Sequence, residues 1–435
     1  MSIVLLSVVV LVLFMVIGIP VALAFAASVI LLVTLGDYGS PIFLIPAGLG
    51  KISSIILVAI PLYILAGNLM IHGGLARRLV DLAESVVGRF RGGMGLVVII
   101  TMAIFGAISG MASSAVAAVG SILIPRMVEQ GYDRGYATSL VACSSVLSLL
   151  FPPSASMILF GWVTNTSISA LFLAPILPGI ILIIFYGGMN AFLTRRMPIA
   201  QAEPLPFNEY TANVLQKGKK ASIGLLLPVL ILGCIYGGVT TPTEAAAVAV
   251  AFALPVGFLV YRELTGRGFL EALWKTGEIT GLLVLLIFFA AMLARLLTME
   301  NVPQSILVGL MSLTENKIFL LMLINLFLLF VGMLLDDASG ILLAGPMLMP
   351  LILAIGVDPV HFGAIMAVNL GMGLITPPTA PILYFAGAIG KASFPSMLRP
   401  TLCFIFFCYF PTLIATTYIP DLSLLLPRLI LGYGQ

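Results

Sequence analysis

Two kinds of polar interruption break an otherwise apolar chain, and each kind occurs twice. The first reads Gly106-Ala107-Ile108-Ser109-Gly110-Met111-Ala112-Ser113-Ser114, and again Gly332-Met333-Leu334-Leu335-Asp336-Asp337-Ala338-Ser339-Gly340. The second reads Phe151-Pro152-Pro153-Ser154-Ala155-Ser156, and again Thr376-Pro377-Pro378-Thr379-Ala380-Pro381. Consecutive prolines remove two backbone donors and free the preceding carbonyls. A helix that restarts after them offers unpaired N–H groups and the positive end of its dipole, which suits an anion. Carbonyls and hydroxyls at the same break suit a hard, oxygen-seeking cation such as Na⁺. Asp336 and Asp337 are the only adjacent carboxylates in the chain. An ionisable group at membrane depth marks a functional site by default; the competing reading is a tip that reaches water and is merely solvated. Ser144 and Asn369, aligned across the repeats and upstream of the breaks, are candidate helpers, although such residues also simply bond neighbouring helices.

The elements that must hold these residues are a duplication. Shifted by 225 positions without a gap, Phe105–Pro175 lies on Phe330–Pro400, with Gly120 on Gly345, Pro125 on Pro350, Asp133 on Asp358 and Pro152-Pro153 on Pro377-Pro378. Glycine and small residues let a helical hairpin turn inside the membrane, where irregular backbone survives only if it is protein-buried or lines a water-filled cavity. Discontinuous helices at matching places in two halves point to the substrate site of a secondary transporter. A channel fits closed hairpins less well.

Composition closes off other classes. The chain is 61% hydrophobic and 9% charged, against about 25% charged for a soluble domain, and its mean hydropathy is +1.21. Apolar runs near the ~20 residues of a membrane-spanning helix recur throughout, and the first is read as a retained helix. Cys143, Cys234, Cys403 and Cys408 lie in apolar stretches without a CxxC spacing, so they read as buried hydrophobes. Two histidines, no HExxH and no GxSxG leave no basis for a membrane hydrolase. The expectation is a protein that is not an enzyme, uses no cofactor and contacts no nucleic acid.

Placing the polar stretch 198–220 in the cytoplasm and counting crossings outward leaves all but four of the 20 Lys and Arg residues inside, as the positive-inside rule demands. The four exceptions are Lys51, Arg295, Lys317 and Arg428. The first hairpin then opens inward and the second outward, with both termini outside. The expected fold is an all-α polytopic membrane protein of two inverted-topology repeats. Repeat one (1–197) holds scaffold helices 1–72, an amphipathic arm 74–91, a re-entrant hairpin 94–130, a broken helix 135–165 and a helix 171–194. After the linker 198–220, repeat two (221–420) holds scaffold helices 221–299, a hairpin 316–354, a broken helix 360–390 and a helix 400–418; a tail 421–435 follows. The arm carries Leu75, Leu79, Leu82 and Val86 on one face, the pattern of a helix lying at the interface, and Gly268–Thr280 is a weaker example. Arg295 is expected to reach toward Glu300, with a clamp on substrate carboxylate as the other reading. Glu244 reads as the first turn of a helix capped by Thr243.

These residues carry a resemblance. Ile17-Gly18-Ile19-Pro20-Val21-Ala22, Ile60-Pro61-Leu62-Tyr63, Ser109-Gly110, Gly131-Tyr132-Asp133, Pro152-Pro153-Ser154, Thr240-Thr241-Pro242-Thr243-Glu244-Ala245-Ala246, Asp336 to Gly340 and Thr376-Pro377-Pro378 occur in order over nearly the whole chain. In them the chain resembles the large membrane (permease, M) subunit of the tripartite ATP-independent periplasmic (TRAP) transporters. The resemblance implies a sodium-coupled importer of small organic anions, of the C4-dicarboxylate or sialic acid class, working by an elevator motion in a bacterial inner membrane. It implies two partners, a separate small four-helix membrane subunit and a periplasmic substrate-binding protein. It places sodium donors among Ser109, Gly110, Ser113, Ser144, Pro152, Asp336, Asp337, Gly340, Thr376 and Pro377. Substrate contacts fall among Ser114, Ser154, Ser156, Ser339, Thr379 and Asn369. The alternative is a stand-alone divalent-anion/sodium symporter or antiporter that needs no binding protein.

Overall fold

The structure, a computed structural model, describes residues 2–36, 38, 41–199 and 206–434. Among them every regular element is helical, and nine helices are long and apolar enough to cross a membrane. In a bilayer only structures that satisfy their own backbone groups can span, and the helix does so within one segment.

The two interruptions are resolved the same way in both copies. Gly93–Ser109 descends to the first tip, Gly110 turns in the left-handed region (φ 64°) and Ala112–Glu129 returns. Lys317–Leu334 and Asp337–Ala354 form the second hairpin. The first returning arm contains a π-turn at Val116–Gly120, whereas the second runs unbroken past Pro346 and Pro350. Each broken helix starts on an aspartate cap. Asp133 accepts from the Tyr136 N–H at 2.9 Å, and Asp358 from the Val360 N–H at 2.8 Å. The first runs over Arg134–Ser145 and a 3₁₀ turn, stops at Pro152-Pro153 and resumes at Ala155–Thr164. The second runs over Pro359–Ile375, stops at Pro377-Pro378 and resumes at Pro381–Gly390. Both Pro-Pro bonds are cis.

Packing then interlocks the copies. The entering arm of each hairpin lies on the upstream half of its own broken helix. The downstream halves cross over. Ala155–Thr164 packs on the second hairpin's return arm, and Pro381–Gly390 packs on the first hairpin's return arm. The upstream halves are buried on all sides, which is why their sequences lack an amphipathic stripe. Close approach is made at small residues: an added Cβ on Gly106 would lie 2.4 Å from Ser148 Cα, and one on Gly373 would lie 2.3 Å from the Gly332 carbonyl carbon. Interhelical hydrogen bonds fix the remaining helices, including Tyr136 to Asn190 at 2.8 Å and Asn325 to Thr417 at 3.0 Å.

Several expectations are corrected. The stretch 198–220 is not a linker throughout. Its part at 200–205, with Pro204, lies outside the described residues, but from Phe207 the chain is helical and runs straight into the membrane span as Phe207–Tyr236. Between Pro206 and Lys220 no further proline occurs, and Lys217 docks on Asp81 of the amphipathic arm at 3.7 Å. That arm is the amphipathic helix its pattern suggests, over Leu75–Val87, and is held by Arg126 to Asp81 at 3.1 Å and to Glu84 at 2.8 Å. Gly268–Thr280 is no separate interfacial helix but the first part of the 34-residue Gly266–Met299. Leu44–Ile52, Val302–Leu313 and Asp421–Leu431 are helices that the sequence reading left unassigned, the last within the tail. The cap before Glu244 is Thr241, one residue ahead of Pro242, in a reciprocal capping box. Glu300 accepts from the Tyr38 hydroxyl at 2.7 Å, and no hydrogen bond or ion pair joins it to Arg295 among the described residues.

Candidate functional site

The site is built where each hairpin tip meets a helix break. In copy one, Gly110 sits against the break so closely that an added Cβ would be 2.6 Å from the Pro153 carbonyl oxygen. A glycine is required there twice over, by its positive φ and by this approach. Ser109 beside it is buried, and its hydroxyl donates weakly to the Met111 carbonyl at 3.4 Å. Pro152, Ser154 and Ser156 are buried as well. In copy two the Thr379 hydroxyl donates to the Met333 carbonyl at the end of the entering arm. Thr376 donates back to Met372 at 2.6 Å, leaving its oxygen lone pairs available, and Pro377 is half-buried next to it.

A side-chain hydrogen bond joins the copies here. The Ser156 hydroxyl, two residues past Ser154 on the first restarted helix, donates to the Asp337 carboxylate on the second tip. The paired aspartates therefore do different work. Asp336 is exposed and caps the return arm, accepting from the Ser339 N–H at 3.0 Å. Asp337 faces the other copy. Gly340 is buried, its N–H bonded to the Asp336 carbonyl at 2.9 Å. Ser113 is exposed and Ser114 half-buried, and no hydrogen bond links either hydroxyl to a break among the described residues.

The unusual chemistry lies in what is left unpaired. Ser144, Ser148 and Ser154 in copy one, and Ser339 and the Asn369 carbonyl in copy two, present buried side-chain oxygens without a protein hydrogen-bond partner. Most buried polar groups in native proteins are paired, and each exception calls for an explanation. Two of the exceptions match across the duplication, since Ser144 aligns with Asn369 and both sit on upstream halves; Thr101, Thr240, Thr280, Tyr409 and Ser423 also present unpaired buried oxygens, outside the tip and break segments. The Asn369 amide N–H₂ does bond neighbouring helix Asn325 at 2.8 Å, as transmembrane asparagines do, but its oxygen stays free. Hydroxyl, amide and backbone carbonyl oxygens of this kind are the donor set of a hard cation such as Na⁺. No group of three or more His, Cys, Asp or Glu side chains converges among the described residues. Ser148 was missed by sequence reasoning because it aligns with Gly373, so the duplication gave no paired signal there.

Interlocked hairpins, two broken helices and buried polar atoms at their junctions are the architecture of a discontinuous-helix membrane protein of the secondary-transporter type, and comparison with solved structures finds the same fold. The chain shares its fold with the Alcanivorax borkumensis YdaH transporter (TM-score 0.63, 17% identity, 92% of this chain and 90% of that one). It likewise resembles Neisseria gonorrhoeae MtrF, described as one of a class of antimetabolite efflux pumps (TM-score 0.64, 14% identity, 88% and 85% covered). Residues 8–422 match the family described as tripartite ATP-independent periplasmic transporter, DctM component, and the chain belongs to that family, the large permease of a TRAP transporter rather than an enzyme. The sialic acid large permease SiaM of Vibrio cholerae is 35% identical over 89% of this chain and 90% of its own length. The C4-dicarboxylate large permease DctM of Pseudomonas aeruginosa is 36% identical over 86% of each. The isethionate permease DctMQ of Oleidesulfovibrio alaskensis is 34% identical over 95% of this chain, which spans 64% of that relative's length.

Proposed function

We propose that this permease imports a small organic anion by sodium coupling, with the two tip–break junctions as its cation sites and the space between the copies as its substrate site. The observation that carries the reading is the set of buried, unpaired oxygens at Ser144, Ser148, Ser154, Ser339 and Asn369. A cation bound by them would pin a tip against its break, and so couple ion binding to the shape of the substrate site. Neither restarted helix has a side-chain cap at its start, and such N-termini favour a carboxylate or sulfonate group. The substrates named for relatives (sialic acid, C4-dicarboxylates and isethionate) are all anions of this type. The partners would be a small four-helix membrane subunit and a periplasmic binding protein, in a bacterial inner membrane with both termini outside. Transport would proceed by an elevator motion of the hairpins and broken helices against the scaffold helices.

Reconstitution tests each part. The chain, the small subunit and the binding protein in liposomes should take up the anion only with an inward sodium gradient. Uptake by the chain alone would overturn the three-part reading in favour of a stand-alone carrier, and sodium-independent uptake would overturn the coupling. Cysteine pairs between Ile55–His72 and the Ser109–Ser114 tip should trap distinct positions. If a single geometry explains every crosslink and uptake survives them all, no elevator operates.

A further inference from the structure

The four basic residues that the charge count leaves on the outer side line two cavities, and they differ in their partners. Around the smaller cavity, about 430 Å³, Lys317 donates to the Gly356 carbonyl at 2.9 Å and Arg428 pairs with Asp421 at 2.8 Å. Around the larger, about 550 Å³, Lys51 and Arg295 have no carboxylate partner and no hydrogen bond among the described residues. This cavity lies on the seam between the two sets of elements. Lys51 comes from the short helix Leu44–Ile52 and Arg295 from Gly266–Met299, both on the scaffold side, while Trp162 and Leu342 come from the restarted first helix and the second hairpin. Lys51 Nζ stands 5.1 Å from the centroid of the Trp162 ring, so the ammonium is held against the wall of the cavity by a cation–π contact.

We infer that this seam cavity is an acceptor site for the organic anion, separate from the tip–break junctions and reached before them. A cleft lined by one sign of charge concentrates counter-ions and raises their rate of arrival. The Arg295 guanidinium offers a bidentate fork to a carboxylate or sulfonate, and Lys51 offers a point charge to a second anionic group. Trp162, Ile287 and Leu342 supply an apolar wall for the carbon skeleton. The volume falls within the roughly 300–1,000 Å³ typical of small-molecule sites. Because its walls belong to both sets of elements, relative motion of the two would open or close the cavity and pass the anion on. The outer placement rests on the transporter reading given above.

The same chemistry would attract an anionic lipid headgroup, so the test has to separate the two sources. The chain has two tryptophans, and Trp274 is exposed on its helix, so Trp274→Phe leaves Trp162 as the only tryptophan, excited selectively at the red edge where the tyrosines do not absorb. The purified chain in phosphatidylcholine nanodiscs should show a saturable change in Trp162 emission with at least one of succinate, isethionate and N-acetylneuraminate. Lys51→Gln or Arg295→Gln should weaken that response about tenfold, the loss of one charge-assisted contact, and Lys51→Arg should restore most of it. No saturable response to any of the three anions overturns the acceptor site. So does a response produced only by adding phosphatidylglycerol, which would make the cavity a lipid site. Binding is read without transport, so the two failures are distinguishable: a silent Trp162 with sodium-driven uptake intact removes the acceptor site alone, and lost coupling in reconstitution with an intact Trp162 response removes the coupling alone.

Discussion

Replacing Gly110 by alanine probes the junction on which the proposed coupling rests. Two costs follow from the structure. The residue has φ 64°, and forcing a side chain into the left-handed region costs about 1–2 kcal/mol. The new Cβ would also meet the Pro153 carbonyl oxygen at 2.6 Å, and overpacking of this kind adds about 1–3 kcal/mol as the tip backs away from the break. The sum is about 2–5 kcal/mol. Gly238 supplies the control, because it has φ 71° but nothing within 4 Å of an added Cβ, so Gly238→Ala bears only the first cost. Thermal unfolding of the purified protein should therefore show Gly110→Ala less stable than Gly238→Ala by about 1–3 kcal/mol. Moving the tip also misplaces Ser109 and the carbonyls beside it, and the sodium concentration for half-maximal uptake should rise about tenfold if one oxygen contact is lost. Equal thermal shifts in the two variants, together with unchanged sodium dependence, would refute the claim that the Gly110 tip and the Pro152-Pro153 break form one site.

Other outcomes follow from the same geometry. Ser148→Ala and Ser154→Ala remove buried hydroxyls that have no protein partner, so they should leave stability unchanged or raised, by up to about 1–3 kcal/mol, while weakening the sodium response; a stability loss with normal sodium dependence would make these hydroxyls structural. Asp337→Asn and Ser156→Ala should each impair uptake, and a double-mutant cycle should show coupling of about 1.5–3 kcal/mol between them, the value for a hydrogen bond to a charged group; additive effects would mean the copies are not joined there. Arg126→Ala breaks two partly exposed ion pairs with the arm, which should cost only about 0.2–1 kcal/mol for each pair in unfolding measurements and be masked by 1 M choline chloride.

Most of the architecture was legible because a membrane imposes a coarse code. Apolar length and proline breaks read directly as spans and discontinuities. The legible part failed where polarity was mistaken for irregularity. Residues 207–220 are charged and follow three prolines, yet they extend a helix beyond the membrane because the arm offers Asp81 to Lys217. Short helices such as Leu44–Ile52 escaped because nine residues carry too little hydropathy signal to register as a span. At the site, matching positions flagged Ser144 with Asn369 and Ser154 with Thr379, but could not separate the capping Asp336 from the cross-copy Asp337. Two neighbours on one turn share every sequence property and differ only in the direction the helix start gives them.

The sequence by itself determined that the chain is a helical membrane protein, duplicated, with a tip and a break in each copy, because these follow from residue type and order within single segments. The tertiary structure alone decided how the copies share the work. Crossing of the restarted helices onto the opposite hairpins brings Ser156 to Asp337 across 181 positions, and folding of scaffold against hairpin leaves Lys51 and Arg295 around one cavity without a carboxylate partner among the described residues. Such contacts depend on which faces pack together, and no local pattern in a uniformly apolar helix specifies the neighbour that each face will meet.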